Sequence, residues 1–143
     1  MADLPKYSGQ HTGKIDSKGR IAIPSKFRAN LGDKFYITRG VNGCLFIYDE
    51  QNWSIFLENF ANLKGQRSTS AARWFIAYLE ELTPDQQGRV RIPAELRRCA
   101  DIDNQVLFAG VGSHLEVWNP TDWEVQFTKT EEEMPETCEY LIF

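Results

Sequence analysis

A thirteen-residue stretch that occurs twice constrains this chain more than any other feature. Asp16 to Arg28 reads Asp-Ser-Lys-Gly-Arg-Ile-Ala-Ile-Pro-Ser-Lys-Phe-Arg, and Asp85 to Arg97 reads Asp-Gln-Gln-Gly-Arg-Val-Arg-Ile-Pro-Ala-Glu-Leu-Arg. The Asp, Gly, first Arg, Pro and last Arg keep their spacing. Apolar residues fill the matching slots: Ile21 and Val90, Ile23 and Ile92, Phe27 and Leu96. The offset is 69 residues, and it becomes 70 further on, where Leu45 matches Leu115 and Trp53 matches Trp123. The repeat therefore covers whole structural units. Such a repeat decides architecture before any local signal does. Two copies are too few to stack as a solenoid, so the sequence predicts an α+β fold of two halves related by a pseudo-two-fold axis.

Local signals agree with that plan. Residues 1–8 are polar and read as a loose arm. Gly9 to Ile15 has modest strand character. Asp16 to Gly19 is turn chemistry, because Asp accepts from backbone N–H groups two residues on and Gly tolerates positive φ. Arg20 to Ile23 alternates, with Ile21 and Ile23 on one face. Pro24 suits the first position of a short helix that runs to Leu31 and is ended by Gly32. Strands follow at Phe35–Ile37 and Cys44–Tyr48. Asp49 is the expected N-cap of a helix to about Leu63, and a linker covers residues 64–70. A second helix is predicted from Ala71 to Leu82, with Trp74, Phe75, Tyr78, Leu79 and Leu82 as its apolar stripe. The later half repeats the order: turn at Asp85–Gly88, strand at Arg89–Ile92, helix from Pro93 to Cys99, strands at Val106–Ala109 and Leu115–Trp118, and a helix capped by Asn119-Pro120. Glu131-Glu132-Glu133 and Pro135 predict a solvated, disordered tail, and Tyr140 to Phe143 are apolar enough to be expected to dock.

Composition narrows the chemistry. The apolar runs fall far short of the roughly 20 residues of a membrane span. The first residues lack the apolar core of a signal peptide, so the cytoplasm is the expected compartment. Cys44, Cys99 and Cys138 are odd in number and far apart, and His11 and His114 are the only histidines. None has metal-ligand spacing, so neither a metal nor a cofactor is expected. The net charge of −4 hides an asymmetry: residues 1–67 carry ten Lys/Arg against six Asp/Glu, while residues 68–143 carry six against fourteen. Local field matters more than the total.

Two readings of the repeated stretch compete. In one, Asp16 caps a turn, Gly19 permits it and Arg20 pairs back to Asp16, with Asp85, Gly88 and Arg89 doing the same. In the other, the outward side chains form a surface. Arg89 and Arg91 share a face opposite Val90 and Ile92, and Arg20 takes that place in the first copy, beside Lys18 on the turn and Lys14 on the preceding strand. Arginine's planar fork suits phosphates and base edges, and two-stranded ribbons enter the major groove of DNA. Hydrolysis or group transfer needs a nucleophile beside a base, or a metal, and the repeat supplies neither. The second reading treats Arg20 and Arg89 as recognition groups and not as halves of salt bridges.

Taken together, Asp16-x-Lys18-Gly19-Arg20, Ile23-Pro24 and Phe27-Arg28, with their echo Asp85-x-x-Gly88-Arg89, Ile92-Pro93 and Leu96-Arg97, resemble the MraZ family, double-copy relatives of the AbrB-like regulators. Leu115 to Trp118 with Trp123 is similar to that family's second-half strand and helix, and Gln87 departs from the pattern where the first copy has Lys18. The resemblance covers residues 8–128 and implies two tandem AbrB-like half-domains of the swapped-hairpin β-barrel type. These would span residues 8–64 and 83–128, with a linker and connecting helix at 65–82 and an acidic tail at 129–143. It implies a ring-shaped homo-oligomer and a nucleoid-associated transcription regulator. Its partner would be double-stranded DNA, at direct repeats in the promoter of the division and cell-wall gene cluster that holds its own gene, with no membrane and no small-molecule substrate. Carried onto this sequence, the DNA contacts are Arg20 and Arg89, supported by Lys18, Lys14 and Arg91. Asp16, Gly19, Pro24, Asp85, Gly88 and Pro93 shape the motif. The competing expectation is a ring-forming interaction scaffold without specific DNA binding. An enzyme using Asp16 or Asp85 is disfavoured, since a carboxylate beside Arg is stabilised as an anion.

Overall fold

A computed structural model describes residues 4–143. The strands are β1 (Tyr7–Lys14), β2 (Arg20–Ala22), β3 (Phe35–Arg39), β4 (Leu45–Asp49), β5 (Glu80–Leu82), β6 (Arg89–Arg91), β7 (Gln105–Gly112) and β8 (Leu115–Trp118). The helices are α1 (Ser25–Leu31), α2 (Glu50–Phe60), α3 (Gln66–Ala71), α4 (Ala94–Cys99) and α5 (Pro120–Thr137). Six strands form one antiparallel sheet in the order β1-β7-β8-β4-β3-β5, and β2 and β6 form a separate two-stranded ribbon.

That order is a palindrome of the repeat. Exchanging the halves swaps β1 with β5, β7 with β3 and β8 with β4, and returns the same sheet read backwards. The pseudo-two-fold axis crosses the β4–β8 pair at Phe46↔Glu116 and the ribbon at Ile21↔Val90. Each half also lends its first strand to the other: β1 lies along β7, and β5 lies along β3. The molecule is therefore one mixed α/β body whose halves interleave.

Strand alternation sorts the side chains into two cores. Inward positions such as Phe35, Ile37, Leu45, Ile47, Val106, Phe108, Leu115 and Val117 pack against Ile21 and Val90 of the ribbon and against Phe27 and Leu96 of α1 and α4. Outward positions such as Phe46, Tyr48, Leu107 and Trp118 form a second cluster with Trp53 of α2, joined by Phe56, Phe75 and Trp123. The layers run ribbon with α1 and α4, then sheet, then α2, the segment around Phe75, and α5.

Several expectations are corrected. The loose arm ends earlier than residue 8: Tyr7 and Ser8 belong to β1, Tyr7 is fully buried, and its hydroxyl donates to Asp49. Residues 1–3 of that arm lie outside the described residues. The helix expected at 71–82 instead begins inside the presumed linker, at Gln66. It widens into a π-helical turn at Ala72–Ile76 and gives way to β5. Pairing of Phe35 with Leu82 and Ile37 with Glu80 overrides the helical stripe there. The helix after Asp49 stops at Phe60, and Asp49 caps it by accepting from the Asn52 amide at 2.7 Å. The tail is not disordered, because α5 runs through Glu131–Glu133 and Pro135 to Thr137. Glu favours helix, and Asn119 accepts from the amides of Thr121 and Asp122 at its start. Tyr140 to Phe143, expected to dock, lie exposed, Ile142 and Phe143 almost wholly so. Among the described residues no helix is long and apolar enough to cross a membrane.

Candidate nucleic-acid interface

The two turns are built alike. Asp16 Oδ1 accepts from the amides of Lys18 and Arg20, both at 2.9 Å, and Oδ2 accepts from Arg20 Nε at 3.1 Å. Asp85 Oδ1 accepts from Gln87 and Arg89 amides at 2.8 and 2.9 Å, and Oδ2 from Arg89 Nε at 3.2 Å. Gly19 and Gly88 carry the positive φ these turns need, +82° and +75°. The hydrogen bond from the Arg20 amide is the main force holding the Asp16 carboxyl below the usual carboxylate range. The Arg89 amide does the same for Asp85. Both acids are thus turn-holding anions at neutral pH.

The arginines are half of a salt bridge after all, which corrects the expectation that recognition and pairing exclude each other. Each uses Nε for its Asp, and both pairs are partly solvent-exposed. Exposed pairs of this kind contribute little to stability. Only Nε is engaged in each pair, so the terminal nitrogens of each guanidinium stay outside it.

Antiparallel register then gathers the outward groups. Arg20 lies opposite Arg91, Ala22 opposite Arg89, and Ile21 opposite Val90. Cross-strand partners share a face, so Arg20, Arg89 and Arg91 all project from the solvent side while Ile21 and Val90 are buried beneath them. Lys18, Arg20 and Arg91 line one shallow depression. The equivalent depression around Arg89 is lined by Asp85, Gln86 and Gln87. Lys14 stands apart at the end of β1, exposed and opposite Gln105, and lines neither. Pro24 and Pro93, expected at the first helical position, stand one residue earlier, at the N-cap positions of α1 and α4.

Sequence reasoning missed the last arginine of each motif. A Cβ on Gly19 would lie 2.8 Å from Arg97 Cζ, and a Cβ on Gly88 would collide with Arg28 Nη1. The strand ends are tied the same way: the Ile92 amide donates to the Gly19 carbonyl at 2.8 Å, and the Ile23 amide to the Gly88 carbonyl at 3.1 Å. The signal was in the sequence, since both arginines keep their spacing, but which glycine each one meets depends on the interleaving.

Residues 7–74 and 75–139 each match the family model described as "MraZ protein, putative antitoxin-like". Proteins named Transcriptional regulator MraZ are similar over most of their length. That of Lachnoclostridium phytofermentans is 41% identical over 119 residues, covering 82% of this chain and 84% of the relative. That of Caldanaerobacter subterraneus subsp. tengcongensis is 39% identical over 135 residues, covering 93% and 94%. That of Pediococcus pentosaceus is 36% identical over 138 residues, covering 95% and 96%.

Proposed function

The chain belongs to the MraZ family, whose members above are named transcriptional regulators, and from that premise we propose a sequence-specific DNA-binding repressor that acts as a homo-oligomeric ring on the promoter of its own division and cell-wall gene cluster. Its partners in this reading are double-stranded promoter repeats and further copies of itself, in the nucleoid of the cytoplasm. Neither a membrane nor a small-molecule substrate takes part. Residues 8–64 and 83–128 act as two AbrB-like swapped-hairpin units. Residues 65–82 connect them and supply β5, and residues 129–143 form an acidic extension of α5.

One observation carries the reading. Arg20 and Arg91 face each other across the ribbon with Lys18 beside them. Like charges directly opposite in a sheet are destabilising. Held open to solvent on a two-stranded ribbon, such a group suits an anion that bridges the guanidinium forks, as a phosphate does. Arg20 and Arg89 make the principal contacts, with Lys18, Arg91 and Lys14 as supporting cations. Asp16 and Asp85 orient the arginines. α5 packs through Trp123 on the sheet face away from the ribbon, which sets the acidic residues it carries apart from the ribbon's arginines.

The test is a gel shift on duplex DNA from upstream of the chain's own gene. Arg20→Ala with Arg89→Ala abolishes the shift while the oligomer persists on size exclusion. Binding by the unaltered chain weakens steeply with salt, because phosphate contacts release counterions. Retained binding by the double variant at moderate salt, or equal affinity for random duplex, refutes the assignment.

A further inference from the structure

We infer that Arg28 and Arg97 are positioning residues that act across the repeat, each holding in place the recognition turn of the opposite half. The other fixed residues of the motif are explained within their own copy: Asp accepts the turn's amides, Gly supplies positive φ, Arg projects and Pro takes the N-cap position of the helix. The last arginine is not. It sits on α1 or α4, in its own half, yet its guanidinium lies against the glycine of the other half.

At the first turn, Arg97 Cζ, Nε and Nη2 stand 2.8, 3.0 and 3.0 Å from where a Gly19 Cβ would be. Arg97 Nε also donates to the Ile92 carbonyl at 3.0 Å, and the Ile92 amide donates to the Gly19 carbonyl. The first turn is thereby clamped between a side chain and a strand end that both come from the second half. At the second turn, Arg28 covers Gly88 and the Ile23 amide ties the Gly88 carbonyl. Both glycines are buried under these arginines. A guanidinium fills the space left by a residue without a side chain with a broad planar group, and a lysine ammonium is a compact point charge.

The consequence is a crossed dependence. The turn that aims Arg89 relies on Arg28, and the turn that aims Arg20 relies on Arg97. Its effect on DNA rests on reading the turns as the DNA-contacting elements, whereas the bracing itself concerns the protein alone. Two measurements on the full chain separate them. In the first, affinity for duplex DNA from upstream of its own gene is read by anisotropy. Arg28→Ala weakens binding about ten-fold in an Arg20→Ala background and less than about two-fold in an Arg89→Ala background, because the contact it supports is already gone. Arg97→Ala shows the reverse pairing. In the second, amide exchange is followed without DNA, in the milder variants Arg28→Lys and Arg97→Lys. Arg28→Lys speeds exchange at the Arg89 amide about ten-fold and leaves that of Arg20 unchanged, and Arg97→Lys does the opposite. Effects confined to the variant's own turn, or equal at both turns, overturn the inference. If Arg20→Ala and Arg89→Ala leave DNA binding intact, the regulatory reading fails while the exchange data still decide the bracing.

Discussion

At the scale of single residues, the two copies of the motif are unequal. The axis that places Arg20 beside Arg91 and Lys18 places Arg89 beside Ala22 and Gln87. Arg20→Ala is therefore expected to weaken DNA binding more than Arg89→Ala, with a titration of the two single variants as the check, and the reverse order would refute it. The roles of Asp16 and Gly19 within their own turn were legible in the sequence, because they lie within four residues of each other. The Arg20–Arg91 pair was not, because it depends on a register between strands far apart in the chain. His114 makes a second point. It stacks against Tyr48 at 4.7 Å and meets Phe46 edge-on at 4.5 Å, and burial pushes its pKa down to about 4. The unfolded chain takes up a proton near pH 6.5 that the native state refuses, so stability is full above about pH 6.5 and falls as pH drops toward 4. The loss is on the order of 2 kcal/mol, reduced by partial exposure. His114→Phe should flatten the stability profile between pH 4 and 6.5 in denaturant titrations. An unchanged slope would exclude His114 as its source.

At the scale of elements, the halves differ most where the outer face is covered. In the first half, the segment after α2 turns back. Phe75 packs on Phe46, Phe56 and Phe60, Thr38 Oγ1 donates to the Phe75 carbonyl, and Trp74 Nε1 donates to the Gly40 carbonyl at 2.9 Å. The second-half counterparts of those three phenylalanines are Glu116, Gln126 and Thr130, and among the described residues no segment covers them: they line an open groove with Trp118, Trp123 and Phe127. Chain sequence follows exposure here, aromatic where the π-helical turn at Ala72–Ile76 returns and polar where α5 runs on. Phe75→Ala should cost about 2 kcal/mol in urea unfolding, below the usual 3–5 for a fully buried Phe because Phe75 is only half-buried. A loss under about 0.5 kcal/mol would mean the segment is not docked. The aromatic stripe from Trp74 to Leu82 was legible as apolar. Its division into a π-helical turn and a strand was not, because β5 exists only where β3 offers it a free edge.

At the scale of the whole molecule, the repeat in sequence is not a pair of independent domains. Within the first half only β3 and β4 pair with each other, and within the second only β7 and β8. The remaining ladders, β1 with β7, β3 with β5, β4 with β8 and β2 with β6, all cross between halves. Removing the second half strips β1 and β2 of every ladder partner and uncovers the inner core on which Phe27 and Ile21 pack. An isolated two-stranded hairpin is marginal at best in water. The motif was readable because it is local and duplicated, while the interleaving emerges only from which edges remain unpaired. The prediction is that unfolding is a single cooperative transition. Fragments 4–74 and 75–143, made separately, should each lack a cooperative thermal transition as monomers at low micromolar concentration. Mixing them should restore the near-ultraviolet signature of the buried aromatics, since association rebuilds every crossed ladder at once. A fragment that melts cooperatively alone, as a monomer, would show that the crossing strands are dispensable. It would also break the link between turns on which the crossed action of Arg28 and Arg97 depends.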